Sequence, residues 1–245
     1  MPSWIARCLA SVQAWTRASG HDYLLTDDSA FELCGADYLA KAGANPRTKT
    51  NLARLELIAR AHAQGYDQVV WMDADIFVFN PAELAFGVAN RITFARETWL
   101  APRGDGSWEA TKTQNNCVVV CPSGDKDLAL IIQTIRHVAA HHPINHNFRV
   151  GVHLIRGLHH FLHFPLVTNV GMFSNHAVLA VAQDQKQLLK AQAVHHGTPV
   201  HAANLCASDH LNPVVPEAEA HRAMDILETT RGRVINSWLD DSGPS

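Results

Sequence analysis

Residues 69–79 constrain this chain more than any other stretch. Val69-Val70-Trp71-Met72 is apolar without polar alternation and follows the turn residues Gly65 and Asp67, the pattern of a buried β-strand. Asp73 and Asp75 then interrupt the run before Ile76-Phe77-Val78-Phe79 and an Asn80-Pro81 stop. In a strand, residues i and i+2 share a face, so the two carboxylates are expected side by side. Two like charges at the end of a buried strand are costly unless a cation or hydrogen-bond donors compensate them. The pattern therefore suggests an Asp-x-Asp metal site at the end of a parallel strand, where open α/β sheets bind ligands. The alternative is a turn in which the carboxylates are solvated or cap the next helix.

Composition narrows the classes. A length of 245 residues suffices for a full core in one α/β domain, and 47% hydrophobic with 18% charged residues is ordinary for a globular protein. A net charge of −3 gives no basic footprint for nucleic acid and no polybasic run for anionic lipid. No apolar run approaches the length of a transmembrane segment, and the N-terminus lacks a secretory pattern. Five cysteines without a Cys-x-x-Cys pair argue against a disulfide framework and for a reducing compartment. A cytoplasmic location, at most peripheral to a membrane, is the expectation. The sixteen histidines include helical spacings such as His137/His141, His142/His146 and His159/His163, but no His-Glu-x-x-His. Compositional drift accounts for most of them.

Read in order, residues 3–18 predict a helix through Ile5, Cys8, Leu9, Val12 and Trp15, and residues 22–26 a short strand. Short helical turns are expected over 30–42. A longer helix opens at Asn45-Pro46-Arg47-Thr48 and stops at Gly65. This alternation points to a parallel sheet wound with helices. After Pro81 come a short helix over 82–86, a strand over 92–95, and a long loop over 96–115 carrying Trp99 and Trp108, suited to a binding lid or a substrate wall. The strand 117–121, a helix over 125–140, another over 148–163, a short strand at 166–168 and a helix capped by Ser174 follow. His195 to Pro199 reads as a turn, Pro216 opens a last helix, and Val234-Ile235 suits a final strand. One domain is expected.

Taken together, Lys49-Thr50-Asn51-Leu52-Ala53-Arg54-Leu55, Gly65 and Val69 to Asp75 resemble the core signature of GT-A-fold glycosyltransferases. The resemblance is to the bacterial and fungal family whose sugar-binding region contains the DXD motif, as in capsular polysaccharide and mannosyltransferase-like enzymes. Pro2-Ser3-Trp4 with Cys8, Ser11 and Trp15, and later Asp22-Tyr23, resemble that family's first helix and second strand. Asn115-Asn116 resembles its segment behind the donor sugar, and Val150-Gly151 its later Gly-Pro element. The chain departs from the pattern at Asn51, where the family usually has Asp, and at Val152, where it would have proline. The family's initial strand, which lines the nucleotide pocket, would lie before Met1. The implied fold is a Rossmann-like, mostly parallel sheet with helices on both faces and its first strand missing.

The implied activity is transfer of a sugar from a nucleotide diphosphate sugar to a glycan, lipid or small-molecule acceptor with retention of configuration, the donor bound by about residues 1–122 and the acceptor by about 123–245. Charge building on the departing diphosphate calls for a divalent ion held by carboxylates, and oxygen ligands favour Mn²⁺ or Mg²⁺. Asp75 is the implied direct ligand, and Asp73 would assist it and bind donor ribose or sugar. Arg54, Asn51 and Lys49 would face the donor, with Asn115 and Asn116 behind the sugar. A late histidine completes the metal shell in many GT-A enzymes; His196 is the first candidate here and His201 the second, with His195 beside them. Glu97 or Asp209 could serve as a base in an inverting enzyme. A nucleotide-sugar hydrolase or nucleotidyltransferase, and a non-catalytic nucleotide or sugar binder, are the alternatives; a nucleotidyltransferase should carry a Gly-rich phosphate loop, and the chain has none.

Overall fold

A computed structural model describes residues 1–105, 107–144, 147–206 and 213–240. Helix α1 (Ser3–Ser19) buries Ile5, Cys8, Val12 and Trp15 at helical spacing and ends at Gly20, whose φ of 70° is the left-handed cap that glycine adopts without strain. Short 3-10 turns (Asp28–Cys34) and α2 (Ala36–Ala42) lead into α3 (Pro46–Ala63). The start of α3 follows from its residues: Asn45 caps the amides of Arg47 and Thr48, and Pro46 occupies the first turn, where no amide is needed. The strands β1 (Gln68–Met72) and β2 (Ile76–Val78) flank the acidic pair.

Residues 96–115 are not a loop. They form most of a hairpin of β3 (Thr93–Pro102) and β4 (Trp108–Pro122), paired antiparallel from Ala95/Asn115 to Pro102/Trp108. Gly104 and Asp105 sit at its tip, where Asp105 accepts hydrogen bonds from the amide and hydroxyl of Ser107. Both tryptophans pack back onto the protein, Trp108 against the His176 ring at 5.3 Å. The strands β5 (Leu166–Val167), β6 (Val170–Met172) and β7 (Ala202–Asn204) complete the set.

The strands make two sheets, ordered β1-β4-β3-β5 and β2-β7-β6. The β1/β4, β3/β4 and β2/β7 pairs are antiparallel; among the described residues only β3/β5 and β6/β7 are parallel. This corrects the expectation of a mostly parallel sheet. A hairpin must pair antiparallel, and residues 22–26 form no strand, leaving Leu24 and Leu25 exposed. The structure is nevertheless mixed α/β. Strands β5 and β7 of the second half pair with β3 and β2 of the first, so the two halves share both sheets.

Helices α3, α4 (Lys126–His141) and α5 (Val152–Leu162) cover one side of the first sheet, burying Leu52, Leu55, Phe94, Val119, Ile131, Ile135 and Ile155. An apolar layer containing Val118, Val120, Ile76, Met172 and Ala202, with Val12 and Trp15 of α1, lies between the sheets. Beyond the second sheet, Phe77 and Phe79 meet α6 (Asn175–Ala182), α7 (Lys186–His196), α8 (Glu217–Thr230) and α9 (Arg233–Asp240). Four smaller expectations change. Residues 82–86 form no helix, the chain making a turn over 81–83 and then running irregularly. His195 and His196 end α7, which Gly197 caps. Val234 and Ile235 belong to a helix, because Val234, Ile235, Trp238 and Leu239 recur on one face that packs onto this core. Residues 148–163 divide into a 3-10 turn (Asn147–Val150) and α5, with Gly151 between them.

Candidate active site

The acidic pair occupies a turn rather than a strand. Strand β1 ends at Met72, and the Ile76 amide donates to the Asp73 carbonyl at 3.0 Å, closing a β-turn with Asp at its first position. The expected side-by-side placement on one strand face is therefore replaced by a fold-back that joins the two sheets. The Asp73 amide donates to the Cys117 carbonyl of β4 at 2.9 Å, and the Leu205 amide, just after β7, donates to the Asp75 carbonyl at 3.0 Å.

The two side chains are fixed by different elements. Oδ1 of Asp73 accepts from the Trp71 indole at 2.6 Å and lies 3.3 Å from the Arg54 guanidinium. Its other oxygen, Oδ2, has no partner among the described residues and is not sealed in the interior. Burial nevertheless pushes the Asp73 carboxyl above its ordinary range, against the pull of Arg54 and Trp71. Asp75 is buried, and its Oδ1 accepts from the Asn204 side chain at 2.6 Å. Asn204 was not anticipated; an Asn inside the small-residue run Ala202-Ala203-Asn204 was the available signal.

Arg54 is buried on α3 with its guanidinium 5.5 Å from the Trp71 ring. It donates to the Asn116 carbonyl, and the Asn116 side chain donates to Asn51 Oδ1 at 3.1 Å. Arg54, Asn51 and Asn116 thus form a buried polar network behind Asp73, positioning it rather than lining open space. Lys49 points elsewhere, its ammonium 5.7 Å from the Phe31 ring. Asn115 joins a second network: its amide donates to Glu97 Oε2 at 2.8 Å, its carbonyl accepts from the Cys117 amide, and Arg156 of α5 reaches Glu97 Oε2 at 3.2 Å. Arg156 was not anticipated, since nothing in a helical pattern marks an arginine that turns inward.

Neither histidine candidate completes the acidic site. His196 is buried with both ring nitrogens engaged, Nδ1 with the Thr98 hydroxyl at 3.3 Å and Nε2 with the Thr168 carbonyl at 2.8 Å. Burial pushes its pKa down to about 4, so the ring is neutral and structural. His201 pairs through its backbone with Phe79 and Asn80, whereas Asp75 pairs with Leu205, four residues further along the ladder. At roughly 3.3 Å per residue this is about 13 Å, too far to share an ion. His195 shares the end of α7 with His196. Asp209 lies outside the described residues. Among the described residues, no group of three or more His, Cys, Asp or Glu side chains could hold a metal ion.

The donor set still fits one kind of ion. Mg²⁺ and Mn²⁺ take oxygen ligands, and Mg²⁺ is commonly held by one or two carboxylates plus substrate phosphates and water rather than by a protein cage. An outward oxygen on Asp73, with the buried Asp75 two residues on, suits that arrangement better than a closed zinc site.

No protein family matches the chain, and no curated protein matches it. Among solved structures it is similar to one described as the "Crystal structure of a glycosyltransferase involved in the glycosylation of the major capsid of PBCV-1". The TM-score is 0.47 and the identity 14%, covering 91% of this chain and 92% of that one. The likeness concerns overall arrangement, and no residue role is taken from it. Among the described residues, no helix is long and apolar enough to cross a membrane.

Proposed function

We propose that the chain is a metal-dependent glycosyltransferase that uses a nucleotide diphosphate sugar and a glycan, lipid or small-molecule acceptor. The observation that carries this reading is the acidic turn. Asp73 is fixed through Oδ1 by Trp71 and Arg54 and keeps Oδ2 open, and Asp75 accepts from Asn204 through Oδ1. Carboxylates fixed in advance need little reordering to accept a cation. Mn²⁺ or Mg²⁺ bound there would neutralise charge developing on a departing diphosphate.

In this reading Asp75 and Asp73 bind the ion together with the diphosphate. Arg54 holds Asp73 in place, and Asn51 and Asn116 hold Arg54. The late histidines take no part. Retention of configuration accompanies the proposal, and the anomer of the product, read by NMR, decides it. Calorimetry with UDP, GDP and dTDP, each with and without Mn²⁺, tests the core of the reading. At least one diphosphate should bind only with the metal, and Asp75→Ala should abolish that binding. Binding that is absent, or indifferent to Mn²⁺ and to Asp75→Ala, overturns it. Turnover of a matching sugar nucleotide then distinguishes an enzyme from a binder.

A further inference from the structure

We infer that Glu97 is a sugar-recognition residue, its free oxygen Oε1 accepting a hydrogen bond from a hydroxyl of the transferred sugar. The inference rests on the glycosyl-transfer reading and adds to it a residue that selects the substrate.

Glu97 is only 8% exposed, on β3 of the hairpin that was expected to be a loop. Burying a carboxylate is costly unless its oxygens are satisfied. Here both donors, the Asn115 amide at 2.8 Å and the Arg156 guanidinium at 3.2 Å, converge on the same oxygen, Oε2. Oε1 has no partner among the described residues, yet it is not one of the sealed, unpartnered atoms of the interior. Glu97 is thus gripped by one oxygen, and the other is left available.

Its place matters as much. Three hydrogen bonds connect it to the acidic turn: Glu97 Oε2 to Asn115 Nδ2 at 2.8 Å, Asn115 Oδ1 to the Cys117 amide at 2.8 Å, and the Cys117 carbonyl to the Asp73 amide at 2.9 Å. The gripped oxygen of Glu97 is therefore tied by hydrogen bonds to the acidic turn. Arg156 leaves its Nε buried without a partner among the described residues, so its guanidinium is placed for Glu97 at a cost in its own hydrogen bonding. A carboxylate oxygen left open is an acceptor for hydroxyl donors, and sugars are dense in these.

The test compares wild type, Glu97→Gln and Glu97→Asp, all as the full chain with Mn²⁺. UDP, GDP and dTDP are titrated beside the corresponding nucleotide diphosphate hexoses. The bare diphosphate should bind all three proteins alike. The hexose conjugate should bind wild type more tightly, and both variants should lose about tenfold or more of that added affinity, the scale of a hydrogen bond to a charged group. A deoxy analogue lacking the contacted hydroxyl should bind wild type and Glu97→Gln equally. If either folded variant, checked by circular dichroism, keeps the added affinity within twofold, the assignment is wrong while the glycosyl-transfer reading stands. If wild type binds no diphosphate, both fail.

Discussion

His196 gives the sharpest test of how this fold treats its histidines. The ring is 3% exposed and its nitrogens are held by Thr98 and Thr168, while burial pushes its pKa from 6.5 down to about 4. In the unfolded chain it takes up a proton as pH falls through 6.5; in the folded chain it resists until about 4. Its stabilising contribution is therefore complete above pH 7, is lost as pH falls from about 6.5 to 4, and changes no further below that. One proton is worth about 1.4 kcal/mol per pH unit, so the window holds about 3 kcal/mol. Urea unfolding of wild type and His196→Gln at half-unit intervals from pH 4 to 7.5 measures it. The wild-type stability should fall more steeply through this window than that of the variant, by up to one proton's slope. His159 and His201, whose pKa values burial also lowers, contribute to both curves and cancel in the comparison. Parallel curves would refute the reasoning, because they would mean that His196 titrates alike in both states.

Two other perturbations probe the framework. Arg54→Met should cost about 3–5 kcal/mol by stranding Asp73, and Asp73→Asn in that background should recover part of the loss in denaturant titrations; additive costs would show that the two do not act as a pair. Gly232→Ala should cost about 3 kcal/mol, since φ is +77° and a new Cβ would fall 2.5 Å from Phe79. Gly20→Ala, with φ +70° and open space around it, should lose only about 1 kcal/mol. Equal changes in thermal midpoint would contradict the steric argument.

Much of the helical framework was legible because its punctuation is local. Asn45-Pro46 and Ser174 cap helices where side chain meets amide within three residues, and Gly20 ends α1 by its own backbone. The hairpin was not legible, because β3 and β4 carry polar residues on both faces. Arg96 reaches Thr198 on one element and Glu97 reaches Arg156 on another, so alternation of apolar and polar residues, the usual strand signal, is absent. Of the candidate site, Arg54 lies 3.3 Å from Asp73, while the side chains of Asp73 and Asp75 are held by different elements rather than side by side on one strand. His196 and His201 do not join them, because their surroundings depend on β3, β5 and β2, which sequence proximity does not reveal. Asn204 and Arg156 were missed for the same reason: each acts on a residue 59 or more positions away.

The turn between β1 and β2 is also the covalent link between two hydrogen-bonded sheets. Asp73 is tied to the first sheet through Cys117, and Asp75 to the second through Asn204 and Leu205. A cation gripped by both carboxylates would thus span a seam, and its binding energy would depend on how the sheets stand against each other. Any shear between them would be felt first as a change in the distance between two oxygens.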